Sequence, residues 1–88
     1  MLAKYLKTLH DSIEKSESGR RLELIDFFIS EVTVLLNHFW SCEEFAKTLI
    51  KALCRTMDKF KGSASPASLL MWASLVNTEN NIVFYVIL

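Results

Sequence analysis

The stretch Leu22 to Trp40, LELIDFFISEVTVLLNHFW, decides how the rest of the chain is read. Glu23, Asp26, Ser30, Thr33 and Asn37 follow one another at steps of three and four residues, which draws one narrow polar stripe along an α-helix. Almost everything beside that stripe is apolar. Ile25, Phe28, Ile29, Val32, Leu35, Leu36 and Phe39 make a broad face, and Leu24, Phe27 and Val34 make a second flank. One neighbouring helix cannot cover both. The stretch therefore predicts a central helix with other helices against both flanks, in an all-α domain.

Working outward, residues 1–16 place Leu2, Tyr5, Leu6, Leu9 and Ile13 on one stripe, a one-sided amphipathic helix. Lys7 with Asp11, and Asp11 with Lys15, are candidate ion pairs of about 0.2 to 0.5 kcal/mol each. Gly19 is suited to a left-handed residue past the helix end. Arg20 and Arg21 then open the second helix, over 20–39, where positive charge opposes the helix dipole; Glu17 or an acidic partner is the expected counterweight.

Ser41-Cys42-Glu43-Glu44 reads as a capping box, with Trp40 and Phe45 as the apolar staple around it. The third helix is expected over 42–61, with Phe45, Ala46, Leu49, Ile50, Leu53, Met57 and Phe60 facing inward and Gly62 closing it. Ser65 and Pro66 signal the start of a fourth helix over 66–77. Its body, Leu69 to Val76, is apolar nearly all round, which predicts cover on several sides. Asn77 to Asn81 is a predicted polar turn with Thr78 as a cap. The last seven residues, IVFYVIL, have high strand propensity, yet no other segment alternates with period two to pair with them. They are read as the start of a fifth helix over 79–88, and the stop inside an apolar run points to a fragment of a larger helical protein. The architecture is thus four antiparallel amphipathic helices plus a C-terminal apolar segment, in one domain over 1–88.

Composition narrows the function. At 88 residues the chain is one small domain, able to bury only roughly 60 to 65% of its unfolded surface. The 51% hydrophobic content with two glycines and one proline excludes a disordered tail. Zero formal net charge gives no whole-molecule field to draw the chain onto nucleic acid or an anionic membrane. The charged start and the acids within 22–40 argue against a leader or a membrane span. Cys42 and Cys54, twelve positions apart in one expected helix, lie about 18 Å from each other there and do not bridge. Free thiols point to an intracellular setting, cytoplasm or nucleus.

Chemistry-bearing patterns are sparse. His38 and Cys42 are four apart, with His10 and Cys54 elsewhere, but neither zinc-ligand spacing nor an orienting group accompanies them. Two glycines make no phosphate loop. Glu23 and Asp26 fit a solvated face, and Glu43 and Glu44 a helix start. No catalytic, cofactor or metal residue is assigned, and the chain is read as a non-enzyme without cofactors. Lys47, Lys51, Arg55 and Lys59 follow at four-residue steps and form a basic ridge. That ridge is the candidate contact for an anionic partner, either an acidic protein or, as the alternative function, nucleic acid.

Helices of fifteen to twenty residues, short Ser- and Gly-containing turns and a buried central helix make the chain resemble stacked helical hairpins of the HEAT or armadillo kind. The likeness is one of architecture, since residues 1–40 and 41–88 share no repeat of identities. It implies a scaffold that binds other proteins. The favoured function is accordingly a protein-interaction or assembly module, without membrane binding, completed by another chain or by a homo-oligomer. Leu24, Phe27, Val34, Trp72, Phe84 and Tyr85 are its candidate contact residues.

Overall fold

The computed structural model describes the backbone of residues 2–87 and the side chains of residues 2–77. Four helices follow in order: α1 (Leu2–Lys15), α2 (Ser18–Phe39), α3 (Glu43–Phe60) and α4 (Pro66–Ile87), with one 3-10 turn at Lys61–Ser63. The all-α class holds, and among the described residues none lies in a strand. The central helix is also where the stretch 22–40 places it: α2 packs against α1, α3 and α4. Its buried side is Ile25, Phe28, Ile29, Val32 and Leu36.

Antiparallel pairing of α1 with α2 follows from the two residues, Ser16 and Glu17, that join them, too few for anything but a reversal. α3 reverses again, so α1 and α3 run in the same direction. His10 meets Thr56 at 2.8 Å, and one turn further along both helices Glu14 meets Lys59 at 2.9 Å. The shared core is Leu6 and Ile13 from α1, the α2 stripe, and Ala46, Leu49, Ile50, Leu53, Met57 and Phe60 from α3, with Leu75 from α4.

The phase of α2 departs from the polar stripe. Its solvent side is Glu23, Phe27, Ser30, Val34 and Asn37. Asp26 and Thr33 are half-buried because each has a local use: the Thr33 hydroxyl donates to the Ile29 carbonyl at 2.8 Å, and Asp26 reaches α4. Of the second flank, Leu24 packs against the core, while Phe27 and Val34 stay 49% and 53% exposed.

Several local expectations shift. Neither glycine takes a positive φ; Gly19 lies in the first turn of α2 and Gly62 in the 3-10 turn. The capping box does not form: Cys42, not Ser41, is the residue before α3, without a side-chain cap. The staple differs as well: Phe39 meets Phe45, with ring centroids 5.4 Å apart, while Trp40 is exposed and Phe45 is an exposed rather than an inward residue. Thr56 takes an inward place instead.

The predicted turn at 77–81 is absent and α4 runs unbroken to Ile87, so no separate fifth helix begins at 79. Threonine, glutamate and asparagine each cost only about 0.5 kcal/mol in a helix, and with neither glycine nor proline there nothing stops propagation. The start of α4 is as expected. Ser65 caps it, its Oγ accepting from the Ser68 N–H at 3.1 Å, and Pro66 takes the first helical position.

Candidate functional site

Two surfaces carry the residues singled out by sequence, one apolar and one charged. On α4, Ser68 and Leu75 are buried and Trp72 is half-buried, spaced four and three apart along one stripe that rests on the bundle. Apart from half-buried Val76, the rest of the described turns is exposed. Leu69, Leu70 and Met71 are consecutive exposed residues, Leu70 to 73%. Expected cover on several sides of α4 is therefore met on one. Trp72 packs against the core, yet its buried indole N–H finds no acceptor among the described residues. Phe84 and Tyr85 lie outside the described side chains.

Asp26 fixes α4 to α2. Its Oδ1 accepts from the Ser65 hydroxyl at 3.1 Å and from the Ser68 hydroxyl, at the positive end of the α4 dipole. A carboxylate expected to be solvated is thus a clasp between helices. At the far corner, Phe39, Trp40 and Phe45 form an exposed aromatic knob, with the His38 ring 6.4 Å from that of Phe39.

The charged surface lies on the other side, between α1 and α3. Lys7, His10, Asp11 and Glu14 from α1 face Thr48, Lys51, Arg55, Thr56 and Lys59 from α3 around a cavity of about 310 Å³. Of the basic ridge, Lys51, Arg55 and Lys59 line it. Lys47 does not; its ammonium lies 2.6 Å from Glu43. The ammonium of Lys59 lies 2.9 Å from Glu14, and its hydrogen bond and charge hold the Glu14 carboxyl below the ordinary glutamate range. Two of the four ridge cations are therefore already engaged. Among the described residues neither helix pair expected on α1, Lys7 with Asp11 or Asp11 with Lys15, forms; the α1 carboxylate that pairs is Glu14, with Lys59 and, at 3.8 Å, with His10.

Arg21 is structural. Its guanidinium donates to the carbonyls of Glu14 and Ser16 at 3.4 and 3.2 Å and sits 5.4 Å over the Phe60 ring. A cation that opposes the dipole of α2 thereby completes the C-terminal end of α1. On α1, partial desolvation, followed by the nearby Glu31 carboxylate, pushes the Tyr5 phenol above its ordinary value. His38 and Cys42 sit on the α2–α3 corner, and no group of three or more His, Cys, Asp or Glu able to hold a metal occurs among the described residues. Both cysteines are free thiols. Among the described residues no helix is long and apolar enough to cross a membrane.

The α1–α3 cavity was not legible in the sequence, because it needs two segments with His10 and Thr56 forty-six positions apart laid side by side in one register. Sequence spacing offers Lys7 only Asp11 as a partner. Comparison with family models, curated proteins and solved structures finds no match to this chain.

Proposed function

We propose that this chain is a non-enzymatic protein-interaction or assembly module whose bare apolar helix surface is completed by another chain or by a second copy. The observation that carries this reading is the run Leu69, Leu70 and Met71, three consecutive exposed large apolar residues on a helix that touches its own bundle along a single stripe. Phe27 and Val34 add to it, seven positions apart on the solvent side of α2. Burying a leucine side chain contributes about 1.5 to 3 kcal/mol, so covering this surface is a substantial driving force that the described bundle leaves unused. The stacked helical hairpins support a scaffold role of the HEAT or armadillo kind at the level of architecture alone. The nucleic-acid reading draws less support, since Glu43 and Glu14 engage half of the basic ridge.

Light scattering on the purified chain, paired with binding of an apolar fluorescent dye, tests the proposal. Self-association or dye binding is expected, and Leu70→Glu with Phe27→Glu should abolish it while leaving helicity intact. A monodisperse monomer that binds no dye contradicts the reading.

A further inference from the structure

The groove between α1 and α3 is a separate feature, on a surface that the proposed apolar contacts do not use. Its cavity of about 310 Å³ lies at the lower end of the range for small-molecule sites. Its apolar part is Leu6, which is buried, with Ala3 and Ala52; the two alanines leave open the space that larger side chains would fill. Around it stand Lys7 from α1 and Lys51 and Arg55 from α3. None of these three makes an ion pair among the described residues, in contrast to Lys47 and Lys59. Three cations held about one concavity repel one another and raise the local potential for an anion.

The groove is polarised along its length. One end is closed by the Glu14–Lys59 pair, with Asp11 one turn short of it. His10 is committed there too: Nδ1 meets Thr56 at 2.8 Å and Nε2 lies 3.8 Å from Glu14. Toward the start of the two helices the lining is Ala3, Lys7, Thr48 and Lys51, with no carboxylate. An anionic group is therefore favoured at the Lys7 and Lys51 end, and an apolar body fits against Leu6, Ala3 and Ala52. A nucleic-acid strand is a poorer fit, because the cationic track is interrupted on both sides of Lys51 and Arg55.

We infer that the α1–α3 groove binds a small organic anion, a phosphate or carboxylate carried on a compact apolar group, with Lys7, Lys51 and Arg55 as its cationic contacts. The test is a titration of the whole 15N-labelled chain, followed by NMR, with phenyl phosphate, benzoate and inorganic phosphate. Saturable shifts confined to residues 3–14 and 48–59 are expected with at least one of the two organic anions, and which of them binds tighter separates phosphate from carboxylate. Lys51→Ala and Lys7→Ala should each weaken that binding about tenfold, whereas Lys47→Ala, which removes the same charge outside the cavity, should change it by less than about twofold. Ala52→Leu, which fills the cavity, should abolish binding of the organic anions. Absence of saturable shifts there with both organic anions, or equal weakening by Lys47→Ala and Lys51→Ala, overturns the inference.

Discussion

Asp26 and Ser65 are thirty-nine positions apart in the chain and 3.1 Å apart in the fold, and the same carboxylate oxygen also accepts from Ser68. Removing the acceptor strands two hydroxyls at a half-buried contact. Asp26→Ala is expected to cost about 2 kcal/mol, and Asp26→Asn less because an acceptor oxygen survives. Urea denaturation measures both, and an alanine variant as stable as the parent removes the clasp from the account of the fold.

Arg20 and Arg21 are neighbours with different surroundings. Arg21 bonds two carbonyls and stacks on Phe60, so Arg21→Ala should lose about 1 to 2 kcal/mol. Arg20 is exposed, and Arg20→Ala should stay within about 0.5 kcal/mol of the parent. Equal effects in chemical denaturation speak against the cap on α1.

Acid should weaken the link between α1 and α3 in a defined direction. Glu14 is held below the ordinary glutamate range, chiefly by its hydrogen bond with Lys59. A carboxyl depressed in the folded state stabilises the fold fully above the unfolded value, and that contribution disappears as pH falls through the lower folded value. Carboxyl-carbon NMR should find Glu14 titrating low, and Lys59→Met should return it toward the ordinary range. A Glu14 titration unaffected by Lys59→Met rejects the pairing.

Leucines 53 and 70 provide a contrast in burial. Leu53 is fully enclosed, and Leu53→Ala is expected to cost about 2 to 5 kcal/mol through lost contacts and a cavity. Leu70→Ala should change the stability of the isolated chain by no more than about 0.5 kcal/mol. Denaturation at low concentration, where association is absent, separates the two.

Gly19 offers a stabilising change. It lies in the first turn of α2 without a positive φ, and a Cβ there would meet nothing within 4 Å. Gly19→Ala should add roughly 0.5 kcal/mol by narrowing the unfolded ensemble. A lower denaturation midpoint would show that this position needs glycine after all.

Periodicity in residues 22–40 was enough to place α2 at the centre, because its apolar face is broader than one neighbouring helix covers. It missed the rotation of that helix by part of a turn. Asp26 and Thr33 count as polar in any pattern, yet their hydrogen bonds let them sit half-buried, while Phe27 and Val34 take the solvent side. Cap signals were right at Ser65, where the hydroxyl bonds Ser68, and one residue early at Ser41. The unbroken course of α4 was hidden because turn-favouring asparagines lower helix propensity only slightly. Leu69 to Met71 announced themselves as apolar but not as uncovered, since exposure depends on which neighbours exist. The α1–α3 groove depends on the parallel register of two distant helices, which no local spacing encodes.

The contact of Asp26 with Ser65 and Ser68 sits at the very beginning of a helix of 22 residues, about 33 Å long. With Trp72 and Leu75 seated on the core two turns on, it sets the heading of that rod, and a tilt of about 10° would carry the distal end of the backbone through about 6 Å. Side-chain exchanges at this anchor would thereby re-aim Leu69, Leu70 and Met71 without altering any of the three.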